Sequence, residues 1–236
     1  MSDVLIVVGV TLLAGLAMPL GAVIAQMEHI KSDWLQQEFR HGVMAFGGGA
    51  LLSAVGLVLV PESVEVLSLP LAVLFFGLGA LAFMLLDILL IKINTPASQL
   101  SAMLADFIPE SIALGAALAT GSKTAFLLAA LIGLQNLPEG FNAYRELNQH
   151  NRIKPGLLIG IFALIALFGP IAGIIGYVWL ADQPEVIGVI MIFASGGILY
   201  SVFQDIAPQV KLEQHWFPPC GAVLGFGLGM VGYMLT

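Results

Sequence analysis

Eight long apolar segments run through the chain, at 4–25, 41–60, 71–93, 98–119, 124–145, 156–180, 185–203 and 217–235. Each is close to the ~20 residues that carry an α-helix across the hydrocarbon of a bilayer. The stretches between them hold the turn and charge signals: Glu28 to Arg40, Pro61 to Pro70, Asn94 to Pro96, Gly121 to Lys123, Asn148 to Pro155, Ala181 to Pro184 and Gln204 to Pro219. The pattern predicts an all-α, polytopic membrane protein: one transmembrane domain over residues 1–236, crossing the bilayer eight times. The first segment is the one a cleaved signal peptide could imitate. Asp3 is the only charge before Glu28, however, with no basic residue ahead of the apolar run, and the run outlasts a signal core of ~7–15 residues. A retained first helix is therefore expected, with seven spans as the rival count if it were removed.

Composition agrees with the pattern. Hydrophobic residues make up 59% of the 236 and charged residues 10%, against the ~25% that keeps a soluble domain wet, so most of the outer surface must face lipid. A net charge of -7 argues against a nucleic-acid partner. Cys220 is the only cysteine, which excludes an intrachain disulfide and Cys-rich zinc motifs. The basic residues test the helix count independently. Lys31 and Arg40 follow the first segment, Lys92 the third, Arg145, Arg152 and Lys154 the fifth and Lys211 the seventh; only Lys123 falls on the other side. Seven against one is the bias expected of a cell (inner) membrane protein with an even helix count and both termini outside. Glycines such as Gly47, Gly48, Gly49, Gly77, Gly79, Gly225, Gly227 and Gly229 suit close helix packing in lipid.

Against this background the polar residues inside the segments need a reason, because a carboxylate at the bilayer centre costs ~2.5–3.5 kcal/mol on insertion scales. Asp87 lies late in the third segment, and Glu62 and Asp205 lie near segment ends, where solvation at the interface accounts for them. The central set is regular. The fourth segment contains Asp106-Phe107-Ile108-Pro109-Glu110-Ser111 and the fifth Gln135-Asn136-Leu137-Pro138-Glu139-Gly140, the same order of polar, x, x, Pro, Glu and small residue 29 positions apart. Residues i and i+4 share a helix face, so Asp106 stacks with Glu110 and Gln135 with Glu139. Pro109 and Pro138 have no N–H for the carbonyls of Ala105 and Leu134, which predicts a kink in each helix, tolerated in lipid only beside protein or a wet cavity. If the two helices pack together, three carboxylates and an amide oxygen converge. Unpaired, they would cost on the order of 10 kcal/mol. The sequence places no Lys or Arg in the fourth segment and only Arg145 near the far end of the fifth. A divalent metal ion, or protons on the carboxyls, must then compensate, and four adjustable oxygen ligands suit a divalent metal.

At these residues the chain resembles the ZIP (Zrt/Irt-like) family of metal transporters, in particular its short prokaryotic branch. The family's helix 4 motif, His-Asn-x-Pro-Glu-Gly, and its Pro-Glu-Gly motif in helix 5 correspond here to DFIPES and LQNLPEG. The likeness extends to LVLVPES, GLGALAFMLLD, GPIAGIIG and FASGGILYSVFQDIAP in family order, with GLQNLPEG the most specific match. The resemblance implies an eight-helix fold with a two-metal centre between helices 4 and 5, and a homodimer. Carried over by position, the primary site is Asp106, Glu110, Gln135 and Glu139. The second site departs from the family: its helix 4 Asn is Phe107 and its helix 6 Glu is Gly169, which leaves Asn136 alone beside the bridging Glu110 and Glu139. One surviving site is expected. Replacing the family's helix 4 His by Asp106 makes that site all-oxygen and moves preference toward Mn²⁺ or Fe²⁺ and away from Zn²⁺. His29, His41, His150 and His215 all lie in connections or at segment ends, as solvated surface residues.

The function expected is transport of a divalent metal ion into the cytoplasm, with the metal as substrate, no organic cofactor, and membrane lipid as the other partner. Asp3, Glu62, Glu65, Asp182 and Glu185 form an acidic outer face that concentrates cations. Asp87 is a candidate for the exit path or for proton exchange. The rival is a degenerate, metal-binding sensor or partner subunit without transport, motivated by the lost second-site ligands. An intramembrane metal hydrolase ranks last, because no HExxH motif is present and the chain is not expected to be an enzyme.

Overall fold

Helical rods succeed one another along the chain in a computed structural model that describes residues 2–28, 33–93, 96–149, 154–210 and 216–236. They are α1 (Ser2–Met27), α2 (33–66), α3 (Leu69–Ile93), α4 (Pro96–Thr120), α5 (Ala125–Gln149), α6 (155–180), α7 (184–210) and α8 (Pro218–Leu235). No strand occurs among the described residues. Seven of these helices are long and apolar enough to cross a membrane. The exception is α5: at 25 residues it has the length, but Gln135, Asn136, Glu139 and Asn142 lower its hydropathy. Lys31, Arg152, Lys211, His29, His150 and His215 lie outside the described residues.

Proline placement shapes several rods. α2 and α7 each contain one wide, π-helical turn, Val55–Leu59 and Val202–Ile206, just ahead of Pro61 and Pro208. There the N–H of Val60 reaches back five residues to Val55 and that of Ala207 to Val202, the local re-pairing that makes room for a ring lacking its own N–H. α4 and α5 instead are α-helical on both sides of Pro109 and Pro138, with no π-helical turn.

Lipid tails are as apolar as the helices, so association must come from close contact. Glycines supply it in reciprocal pairs. A Cβ on Gly21 of α1 would sit 2.0 Å from the carbonyl oxygen of Leu137, and one on Gly140 of α5 2.1 Å from that of Met18. The same exchange joins α2 to α8 (Gly49 against Ala222 at 2.0 Å, Gly225 against Phe46 at 2.1 Å) and α3 to α7 (Gly79 against Phe193 at 1.9 Å, Gly196 against Phe76 at 2.0 Å). It also joins α4 to α6, where Gly115 meets Gly173 and Gly176 meets Ile112, each at 2.0 Å. Only hydrogen fits at these positions, and the bared backbone lets Cα–H donors meet carbonyls across each seam. At one end of the α1–α5 seam Arg145 pairs with Glu28 and lies over the Phe141 ring, 5.6 Å from its centroid.

The connection from α4 to α5 sets how the two motif-bearing helices face each other. Gly121 takes a positive φ of 69°, the N–H of Ser122 reaches the Ala117 carbonyl at 2.9 Å and that of Gly121 reaches Leu118 at 3.4 Å. This glycine-ended cap stops α4 and turns the chain back at once, so α5 runs antiparallel to it. Glu62 of α2 anchors the turn by accepting hydrogen bonds from the hydroxyls of Ser122 (3.3 Å) and Thr124. Glu62 is thus half-buried and bonded within the protein, where the sequence alone favours a solvated residue.

Candidate metal centre

The tight turn brings the two motifs level. Asp106 stands ten residues into α4 and Glu110 ten from its end; Gln135 and Glu139 hold the same two places in α5. In two antiparallel helices of equal length joined by a short turn, those places meet at mid-height.

The side chains meet there as well. The Gln135 amide nitrogen donates to both Glu110 oxygens, at 2.7 Å each, and both residues are buried, Glu110 with 0% of its surface exposed. Glu139 is within electrostatic reach of Asp106 and Glu110. Asp106, Gln135 and Glu139 line a cavity of about 550 Å³ between α2, α3, α4, α5 and α7. From mid-height it extends to Arg40, Ile91, Glu146 and Asp205, toward the ends of the helices that adjoin the α1–α2, α3–α4, α5–α6 and α7–α8 connections. Most of the described Lys and Arg residues lie at this end.

Three oxygens of residues lining this cavity have no hydrogen-bond partner although they are buried: Oδ1 of Asp106 and Oε1 of Gln135 at mid-height and, about one turn of α5 beyond Glu139, Oδ1 of Asn142. A buried acceptor left unmade costs about 1–3 kcal/mol, more when charged, so each is an opening for a cation. Among the described residues no three His, Cys, Asp or Glu side chains stand close enough together to hold a metal ion in this conformation. The four oxygen-bearing residues share a region, but Glu110 is turned to Gln135 and lies off the cavity wall.

Asn136 goes elsewhere. Its amide nitrogen donates to the Ala14 carbonyl of α1 at 3.0 Å, so it faces the α1–α5 seam. Phe107, one residue past Asp106, is buried with its ring tip against α1 and α6: a Cβ on Gly15 would lie 2.8 Å from the ring's Cζ and one on Gly169 2.7 Å from it. Phe107 and Gly169 are therefore in contact, the aromatic ring filling the space beside the glycine.

Three features of the site are not legible from the motifs. Arg40 of α2 stands in the cavity wall, with its Nε buried and unpartnered, although the sequence places no cation near α4. Tyr200 of α7 donates to Asp87 of α3 at 3.2 Å, so Asp87 is held at the cavity wall by a partner 113 residues away. Asp205, exposed as expected for a residue near a helix end, is within electrostatic reach of Asp87, Glu146 and Asp106. No protein-family model matches the chain, and no curated protein matches it. The functional reading therefore stands on the geometry.

Carboxylate and amide oxygens at one depth, two of them unpartnered, can replace the hydration shell of a hard or borderline divalent ion.

Proposed function

We propose that the chain is a carrier of a divalent metal ion of the Zn, Mn or Fe type, not an enzyme, and that it moves the ion across the cell's inner membrane into the cytoplasm. The observation that carries this reading is the pair of unpartnered oxygens, Asp106 Oδ1 and Gln135 Oε1, beside Glu139 and Glu110 at the common mid-height of α4 and α5. In this reading α5 is the eighth membrane crossing. Its length and its burial between α1 and α2 support that, because its polar residues turn inward and need no lipid-compatible surface. Both termini then lie outside, and the cavity opens to the cytoplasm at the basic end. The missing N–H groups of Pro109 and Pro138 provide the points at which the two helices bend as the bundle rearranges.

The resemblance to ZIP transporters fits this reading with one metal site. Asp106, Glu110, Gln135 and Glu139 are the ligand set, and the Phe107 ring seated on Gly169 stands where a second ion would go. Asn136, turned to α1, serves the helix seam. The contact of Phe107 with Gly169 is also the observation that favours the rival, a sensor or partner subunit that binds metal without moving it.

Uptake by proteoliposomes separates the two. Vesicles containing the protein are expected to accumulate Mn²⁺ well above protein-free vesicles, as a site of carboxylate and amide oxygens favours. Stoichiometric binding without accumulation would identify the sensor.

A further inference from the structure

Glu110 does not face the cavity, and what stands between them is one side chain. Gln135 lies on the cavity wall with 2% of its surface exposed, while Glu110 is wholly buried behind it. The contact is two-pronged, one amide nitrogen 2.7 Å from each carboxylate oxygen. The contacting atom is the amide nitrogen, which can donate to both oxygens when the carboxylate is ionised. A nitrogen equidistant from both oxygens occupies the seat that a bidentate divalent cation takes on a carboxylate.

We infer that Gln135 is a release switch: with the cavity open, its amide takes Glu110 away from the metal, so ion and amide compete for the same two oxygens. This rests on the carrier reading of the site and adds a role for the fourth ligand position. An ion held by Asp106, Glu139 and Gln135 Oε1 is only partly coordinated. It gains Glu110 when the amide nitrogen swings off and loses it when the nitrogen returns. A simple ligand role for Gln135 predicts weaker binding when the amide is removed; a competitor predicts the reverse. The opposition makes the two separable.

The test uses the full chain in detergent, titrated with Mn²⁺ by calorimetry, together with uptake in proteoliposomes. Gln135→Met keeps the length and volume of the side chain but removes the donor and the oxygen, and its thioether is a poor ligand for Mn²⁺. Hydrogen bonds to a charged group are worth ~1.5–3 kcal/mol and outweigh the one neutral amide oxygen lost with Gln135, whose place on the ion water can take. Mn²⁺ should therefore bind at least about 10-fold more tightly to Gln135→Met while turnover in uptake falls. Gln135→Leu, which carries no heteroatom, should do the same and serves if the first variant is not monodisperse. Mn²⁺ affinity that is unchanged or weaker in the folded variants would overturn the inference. Glu139→Gln, titrated alongside, should lose Mn²⁺ binding; wild-type affinity there would instead overturn the carrier site itself, however Gln135→Met behaves.

Discussion

Proteoliposomes carrying Glu139→Ala or Glu110→Ala should take up Mn²⁺ no faster than protein-free vesicles, a fall of at least about 100-fold. That exceeds the ~10–100-fold typical of removing a group that merely orients a metal ligand. Glu139 is the carboxylate that α5 brings to the cavity at mid-height, level with Asp106 on α4, whereas Glu146 lies about two turns away toward the helix end. Without it an ion keeps Asp106 and one amide oxygen, too few groups to replace its water. Glu110 is hidden in this conformation, yet it is the only other acidic group at mid-height of the two helices, and in the proposed carrier it completes the ligand set. Asn136→Ala is the built-in contrast. Because the amide of Asn136 is engaged with the Ala14 carbonyl, this variant should retain uptake and lose about 0.5–1.5 kcal/mol of stability. Uptake at wild-type rate in both Glu variants would remove these residues from the mechanism.

The second large effect concerns the seams. Gly140→Ala places a methyl 2.1 Å from the Met18 carbonyl oxygen and 2.7 Å from that residue's C and Cα, and Gly115→Ala places one 2.0 Å from the Gly173 oxygen. Overpacking in a well-packed interior costs about 1–3 kcal/mol, and more when the obstacle is backbone that cannot rotate away. Both variants should therefore lose at least ~3 kcal/mol against reversible unfolding in mixed micelles. Gly77 has nothing within 4 Å of an added Cβ, so Gly77→Ala should be neutral or gain up to about 1 kcal/mol from helix propensity. If all three variants behave alike, the reciprocal contacts do not hold the helices together.

Hydrophobic run length places the helices well, since crossing a bilayer imposes a minimum length on every span. The segment expected at 71–93 appears as Leu69–Ile93 and that at 98–119 as Pro96–Thr120. The wide turns before Pro61 and Pro208 carry no separate signature, because a π turn differs from an α turn by one residue and leaves the apolar run unbroken. Within the site, the shared face of Asp106 and Glu110, and that of Gln135 and Glu139, comes from the four-residue spacing. Which atom of Gln135 meets Glu110 depends on rotamers and on which helix lies opposite, and neither is periodic. Asn136 shows the same limit. Its neighbour Gln135 faces α4 while Asn136, one position on, is rotated about 100° and meets α1. Arg40 enters the cavity from a helix about 65 residues away, through a packing arrangement that no local pattern announces. Phe107 and Gly169 are each legible in the sequence as apolar positions inside a span. Their contact across 62 residues becomes visible only when α4 lies against α6.

Anomalous diffraction from crystals of the Mn²⁺-loaded protein tests the metal centre most directly. One strong peak is predicted at mid-height between α4 and α5, with oxygens of Glu139 and Asp106 about 2.0–2.6 Å away, the range of divalent cation–oxygen bonds. A peak at the bundle ends alone, or none at saturating Mn²⁺ while Glu110 and Glu139 turn to lipid, would contradict it.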